Sequence, residues 1–396
     1  MSDYDVVLAG GGLVGAALAV GLAQAGRRVA VIEAAARSAD HQPSYDDRTL
    51  VVNAASLNIL AGLGLLPDAL TRMPVREIRI TRAGGFGCLR LRASDYRCDL
   101  FGAVIVAREL GNVMLSALAE NSAITQLCPA RLETFTVDAD QVQVRLGSGE
   151  RLTTRLLIGA DGTRSMVRQI AGIQSERHDY GQSAMIFNVR PGQAPAATAW
   201  ERFTPQGPLA LLPQPQNRLG TVWIDRSAAI DEAMTWDDQI LIQRLEERFG
   251  SSLGGFSRPG KRARYPLLRL RTEQPAGERV ALVGNAANSV HPVSAQGFNL
   301  GLRDVAAMIE TLARHDDPGC QAALAEYVDA RREDQAATVR YTDTLARAFT
   351  NPALLARFGA GLGLAAHAAV PGLSRRLVRA AMGFRDPVTR LARGGS

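Results

Sequence analysis

Residues 5–33 read DVVLAGGGLVGAALAVGLAQAGRRVAVIE, and this run decides the fold. Val6–Ala9 is an apolar strand, Leu13–Ala25 an apolar helix stopped by Gly26, and Arg27–Glu33 a second strand, which together make a βαβ unit. In the turn, Gly10, Gly12 and Gly15 stand as GxGxxG. Glycines at those places allow a tight bend, close approach of the backbone to a pyrophosphate, and close packing of helix on strand. Glu33 ends the second strand, where a carboxylate accepts both hydroxyls of an adenosine ribose and disfavours a 2′-phosphate. The unit therefore predicts a domain that holds a dinucleotide other than NADP.

Two later segments also run from an apolar strand into a small-residue turn. Leu156–Arg168, LLIGADGTRSMVR, places Gly159, Asp161 and Gly162 after a strand and ahead of a helix bearing Arg164 and Arg168. Arg279–Asp304, RVALVGNAANSVHPVSAQGFNLGLRD, has a strand Val280–Val283 closed by Gly284, then His291-Pro292 as a brake. A helical pattern follows through Leu300, Val305, Met308, Ile309 and Leu312. The first turn of that helix offers free N–H groups to partial negative charge on a bound molecule. Val142–Leu146 and Leu152–Ile158 alternate as a hairpin, and Val51–Leu63 reads as an apolar helix. Arg48, just before it, has two readings: a solvated loop cation or a ligand to phosphates.

Residues 183–264 change character, with short strands AMIFNV, ATAWERF, PLALLP and RLGTVWI between turns, and one amphipathic helix, Asp237–Phe249. They form a mostly antiparallel insert that roofs the site. From Gln321 the chain reads as helical, with Ala353–Leu373 apolar and Arg375, Arg376, Arg379, Arg385, Arg390 and Arg393 set against the single acid Asp386. Such an end suits an anionic membrane surface or acidic partner, or else a helical cap with a solvated basic tail.

With 396 residues and 46% apolar content, the chain can bury a core in about two or three domains. Cys88, Cys98, Cys128 and Cys320 lack CxxC spacing, so neither zinc nor a disulfide framework is expected, and no metal site is predicted. The net charge of +6 is carried by arginine, Lys261 being the only lysine, and acids interleave with it, which argues against nucleic acid. Val6–Gly26 is uncharged, but its six glycines argue against a membrane helix. Met1–Asp5 is acidic where a secretory signal would be basic, so a cytoplasmic protein is expected, peripheral at most to the inner face of the membrane.

The three turns, with a β-rich insert between the last two, resemble the aromatic-hydroxylase class of FAD monooxygenases over nearly the whole chain. GNAA at Gly284–Ala287, HP at His291-Pro292 and QGFNLGLRD at Gln296–Asp304 are similar to its ubiquinone-biosynthesis branch, the 2-polyprenyl-6-methoxyphenol hydroxylases. AWERFTPQGPLALLP and GKRARYPL carry the same likeness. Two positions depart from the wider class: Asn285 stands where Asp is common, and Ala295 replaces a usual glycine.

The resemblance implies an α/β fold, a Rossmann-like FAD-binding domain with an inserted antiparallel β-sheet substrate domain and a C-terminal helical segment. Residues 1–72, 100–180 and 275–350 are expected to form the discontinuous FAD-binding domain, 73–99 and 181–274 the β-rich substrate domain, and 351–396 the helical segment. By position, Gly10, Gly12 and Gly15 meet the ADP part of FAD, with Glu33 on the ribose and Asp161 near the pyrophosphate. Asn285 meets the ribityl hydroxyls and the segment Gly297, Phe298, Asn299 the pyrimidine edge of the flavin; Gly284, Gln296 and Arg48 complete the cofactor-binding set.

The implied chemistry is hydroxylation of a polyprenylated phenol by O2 activated on reduced flavin as a hydroperoxide. No second complete fingerprint exists, so NAD(P)H is a visiting reductant. Partners implied are the phenol, O2, and a membrane surface or other ubiquinone-biosynthesis proteins. No catalytic residue is assigned: Pro292 and His291 are flavin-proximal, and His291 reads as shaping its loop rather than as a base. Leu209, Leu211 and Leu212 read either as ring-pocket lining or as strand core. Alternatives left open are hydroxylation at another ring position or of another phenol, another flavin chemistry, and a non-catalytic flavoprotein assembly subunit.

Overall fold

The computed structural model describes residues 2–36, 48–83, 88–350 and 371–395. Five strands run parallel in the order Val280–Leu282, Arg151–Gly159, Tyr4–Ala9, Val29–Ile32 and Ile124–Leu127. Both faces of the central strand are covered, which is why its residues read as a continuous apolar run. Val6 and Leu8 pack with the helices Leu13–Gln24, Ala107–Glu120 and Gln296–Leu312, whereas Val7 and Ala9 pack with Phe135, Val142, Val144 and Leu146 of the antiparallel hairpin. Strand order reverses between Tyr4–Ala9 and Arg151–Gly159, so the two glycine turns that follow these strands open side by side at the switch point.

Two elements differ from the sequence reading: the insert carries a second helix, Ser227–Ala233, beside Asp238–Phe249, and the helix read from Val51 starts later. Thr49–Asn53 is a strand paired antiparallel with Gly102–Val106, and the helix begins only at Ala54. Val51 and Val52 are β-branched and find a strand partner, and Asn53 then caps the helix by accepting from the Ser56 N–H at 3.0 Å.

The second sheet runs Cys88–Arg92, Glu77–Arg82, Thr198–Phe203, Pro208–Gln214, Arg218–Arg226, Ser175–Pro191, Ala263–Thr272, Asn288–Ser289. It is antiparallel except where Glu77–Arg82 lies parallel to Thr198–Phe203. Its outer face buries Met185, Phe187, Trp200, Leu209, Leu211 and Trp223 beneath the helices Ser227–Ala233 and Asp238–Phe249. Because side chains alternate along a strand, Ala210 and Leu212 point the other way. That inner face meets the nucleotide-binding unit: Leu212 packs with Val75 and Val104, and Gln214 Nε2 donates to Thr49 Oγ1 at 2.7 Å.

The third segment is fixed from behind by buried charge. Asp304 accepts the Gly284 N–H on Oδ2 at 3.1 Å and both Arg331 Nε at 2.7 Å and Gln335 Nε2 at 2.9 Å on Oδ1. Beside it, Arg303 Nε donates to Asp334 Oδ2 at 2.7 Å, and Arg331 Nη2 sits 2.8 Å from Asp334 in a charge contact whose angle falls short of a hydrogen bond. These groups tie the helix Gln296–Leu312 to the long helix Gln321–Thr350.

Residues 371–395 pack on the rest of the molecule. Val378 and Met382 pack with Leu89, Leu91 and Phe101, and Leu391, Phe384 and Val388 pack on the main core. Leu391 N–H donates to Glu310 Oε1 at 3.0 Å, and Asn58 Nδ2 donates to the Ala392 carbonyl at 2.9 Å. Arg375, Arg376 and Arg379 are exposed. Most of the apolar run Ala353–Leu373 lies outside the described residues, and among the described residues no helix is long and apolar enough to cross a membrane.

Burial raises the Asp334 pKa, but Arg303 and Arg331 override it and hold it down to about 2. A carboxylate with a depressed folded pKa contributes stability above its ordinary range near 3.8, and that stability is lost as pH falls through about 2. Asp334→Ala strands two buried guanidinium groups and is expected to lower unfolding free energy by about 3–5 kcal/mol. Urea denaturation at neutral pH checks this, and an unchanged midpoint would show the network to be incidental.

Candidate functional site

The site forms where the three turns meet. Gly10 has φ +107°, and a Cβ there would come within 2.5 Å of the Ala160 carbonyl oxygen. A Cβ on Gly15 would meet the Gly10 oxygen at 2.0 Å. Glycine is thus required for the first turn to nest against the second. The third joins through Val14, whose methyls lie 3.1 and 3.3 Å from where a Gly284 Cβ would be. Arg168 completes the junction from the short helix Met166–Ile170 after the second turn, whereas Arg164, expected on the same helix, precedes its Ser165 cap. Arg168 is buried and donates from Nη1 to the Ala286 carbonyl and from Nη2 to the Thr163 carbonyl, each at 2.8 Å.

The expected site residues divide into those with free groups and those with none. Glu33 Oε2 accepts from Gly11 N–H and Oε1 from Ala35 N–H, each at 2.7 Å, which fixes the carboxylate and leaves further lone pairs for two hydroxyls. Asp161 Oδ2 accepts from Met166 N–H at 2.7 Å and Val167 N–H at 3.2 Å, while its Oδ1 is buried with no partner among the described residues. Asn285 is exposed. Neither Leu13–Gln24, preceded by Gly12, nor Gln296–Leu312 has a side-chain cap or an acid in its first turn, so both helix starts present N–H groups. Gly297 and Phe298 are half-buried at the second of these. An orphaned buried carboxylate oxygen, two uncapped helix starts and a glycine cradle fit a dinucleotide.

Asn299 and Gln296 are turned inward. Asn299 Nδ2 donates to the carbonyls of Val51 at 2.7 Å and Ala295 at 2.8 Å, and its Oδ1 accepts from Asn53 N–H at 2.9 Å. Only its backbone is left for a ring, and its side chain sets the loop's shape. Gln296 is buried, with Nε2 3.5 Å from the Ala381 carbonyl. Between them and Pro292, Ala295 adopts φ +51°, the left-handed region that favours glycine. The substitution noted in the sequence therefore falls on a strained residue.

Arg48 is not a solvated loop cation: its guanidinium lies 4.8 Å from the centre of the Tyr265 ring, on the inner face of the second sheet. His291 is buried, accepting from Val293 N–H on Nδ1 at 3.2 Å, with Nε2 3.4 Å from Gln182 Oε1. This arrangement assigns the proton to Nε2. Burial pushes the imidazole pKa down to about 4, with Asp343 opposing weakly, so the ring is neutral near pH 7 and braces the turn that contains Pro292. Leu209 and Leu211 are core of the outer face, and only Leu212 of that trio looks inward.

The chain matches the FAD binding domain family over residues 3–342. It is 37% identical over 388 residues to ubiquinone hydroxylase UbiL of Rhodospirillum rubrum, covering 96% of this chain and 89% of that protein. It is 33% identical over 389 residues to 3-demethoxyubiquinol 3-hydroxylase of Escherichia coli, covering 96% and 98%. The chain belongs to the FAD binding domain family, among the ubiquinone-biosynthesis hydroxylases. The enzyme is a flavoprotein monooxygenase with FAD as cofactor. Its fold also matches Pseudomonas aeruginosa PqsL in complex with 2-aminobenzoylacetate, with TM-score 0.75 and 25% identity over 88% of this chain and 97% of that one.

Sequence reasoning missed Arg168 as the link between two turns, because nothing in its spacing reveals a carbonyl more than a hundred residues away. Two variants test the geometry. Glu33→Ala is expected to weaken FAD binding by about 1.5–3 kcal/mol, the range for hydrogen bonds to a charged group. Wild-type affinity in a fluorescence titration would remove Glu33 from the site. Ala295→Gly is expected to raise unfolding stability by roughly 0.5–1 kcal/mol, relief of left-handed strain outweighing the added freedom of the unfolded chain. A lower urea midpoint would contradict that strain.

Proposed function

We propose that the enzyme hydroxylates the aromatic ring of a polyprenylated phenol, 2-polyprenyl-6-methoxyphenol giving the 1,4-benzoquinol, with O2 and NAD(P)H. The observation that carries this is an apolar, partly uncovered sheet face, holding Ile80, Ala210, Val222 and Ile186, on the side of the sheet that meets the nucleotide-binding unit. A ring needs such a wall beside a flavin, and water must be kept from both.

Within this reading, Gly10, Gly12 and Gly15 hold the pyrophosphate at the start of Leu13–Gln24, and Glu33 holds the adenosine ribose. Asp161 lies at the second turn with one oxygen to spare, and Asn285 reaches the ribityl hydroxyls. The start of Gln296–Leu312, with Gly297, Phe298 and the Asn299 backbone, meets the ring's electron-rich edge. Bound there, FAD supplies activation of O2 after reduction by NAD(P)H. The protein positions the phenol, excludes water, and keeps His291 neutral beside Pro292.

The proposed division keeps 1–72, 100–180 and 275–350 with the cofactor, 73–99 and 181–274 with the substrate, and 351–396 as the helical segment. Strand Met73–Val75 pairs with Gly102–Val106, and strand Ser175–Pro191 crosses residue 180, so both junctions are shared. A polyprenyl tail needs a hydrophobic host, at about 0.8 kcal/mol for each buried methylene. We place that host at the inner membrane surface or on partner proteins, with the exposed Arg375, Arg376 and Arg379 facing the anionic side. A second reading, oxidation at another ring position, is favoured by the Escherichia coli relative, which is a 3-hydroxylase by name.

The purified protein is expected to be yellow with releasable FAD and to oxidise NAD(P)H faster when a short-chain prenylated methoxyphenol is added. The product should carry one atom from labelled O2, and its position on the ring separates the two readings. NAD(P)H oxidation indifferent to every phenol tried would sink both.

A further inference from the structure

One row of directly opposed residues crosses the inner face of the second sheet: Leu89, Ile80, Glu201, Ala210, Val222, Ile186, Ala263. All but one are apolar. A glutamate at the middle of such a row runs against every preference that governs burial. Glu201 lies deep in the molecule, yet part of its surface remains reachable by water, as is true of Ile80, Ala210, Val222, Ile186 and Ala263. A side chain that is both deep and reachable borders space that a small molecule can share with water.

No hydrogen bond or ion pair joins Glu201 to a described residue, and burial is the only influence on its ionisation. Nor does a counter-charge face it among the described residues. On that face of the flanking strands Glu77–Arg82 and Pro208–Gln214 the only charged side chain is Arg82, which is engaged elsewhere. The helix Pro371–Ala381, packed near Ile80 through Val378, exposes Arg375, Arg376 and Arg379 to solvent. Arg48 stacks on Tyr265, two residues along the strand from Ala263. His291 and Tyr180 belong to another part of the face, where Tyr180 donates to Asp343 Oδ1 at 2.9 Å.

We infer that Glu201 receives the ring hydroxyl of the phenol and takes its proton during hydroxylation, a catalytic role that rests on the phenol-hydroxylase reading above. The phenolic O–H bond breaks, the proton passes to a Glu201 carboxylate oxygen, and the electron pair stays on the phenolic oxygen. That pair enriches the ring carbons ortho and para to it, where an electrophilic oxygen adds. Oxygen and electrons come from the O2 and NAD(P)H of the proposed reaction, so Glu201 handles only the proton. Burial pushes its carboxyl up to about 7, closer to a phenol near ~10 than an ordinary carboxylate is, which makes it a better-matched base. It must be ionised to act, so the rate rises as pH climbs through about 7.

The test uses the FAD-loaded full chain with Glu201→Gln, Glu201→Asp and wild type. Single-turnover hydroxylation of a short-chain prenylated methoxyphenol is expected to fall about 10²-fold or more in Glu201→Gln and to lose its rise near pH 7. Glu201→Asp should keep that rise at an intermediate rate, with FAD content reporting intact folding in both. Binding gives a readout apart from turnover. By flavin absorbance titration, wild type should prefer 2-methoxyphenol over 1,2-dimethoxybenzene by about tenfold to a hundredfold, and Glu201→Gln should lose the preference. Retained preference together with a wild-type rate and pH profile in Glu201→Gln overturns the assignment. If wild type hydroxylates no phenol, the functional reading falls, while the binding comparison still decides whether Glu201 holds the hydroxyl.

Discussion

The Asp304 carboxylate is the constraint on which the site's geometry depends. One oxygen holds the Gly284 N–H at the turn, and the other takes Arg331 and Gln335 from the long helix. A single fully buried side chain thereby locks the strand end, the helix that follows and the helix behind it. Buried ion pairs add little net stability compared with apolar packing, but leaving one partner alone is costly, so such a network specifies one arrangement strongly. The Asn299 amide does the same on the front of the helix, gripping Val51, Asn53 and Ala295. Between these two anchors Ala295 is held in a conformation it does not favour.

The two sheets solve different problems. The parallel sheet is covered on both faces and exists to bring the first two glycine turns side by side at the switch point. The second sheet is covered on one face only. Its outer side is closed by two helices, and its inner side, with an apolar row broken only by Glu201, stays partly uncovered. An apolar surface left open inside a molecule is what a ring-binding enzyme requires and what a scaffold would close.

Electrostatics around the site follow from the same division. Behind the helix Gln296–Leu312, four charged residues neutralise one another in pairs. On the open side, His291 is kept neutral by burial and Glu201 stands without a counter-ion among the described residues. Charge is thus balanced behind the helix, where shape must hold, and left unpaired on the sheet's inner face.

Sequence by itself determined the βαβ unit, the glycine turns, the strands of the insert and the family likeness. These are local: each is written in a period of two or 3.6 residues or in glycines at fixed offsets. It misjudged Val51–Asn53, because a β-branched pair reads as helix or strand according to whether a partner such as Gly102–Val106 lies alongside. Tertiary structure alone decided which face of PLALLP looks inward, since alternation gives two faces but not which one meets the cofactor unit. It also decided that Arg168 joins two turns, that Arg48 rests on Tyr265, and that Glu201 stands in an otherwise apolar row of the second sheet. Each of those facts depends on residues far apart in the chain, and contacts at such separation leave no local periodicity to read.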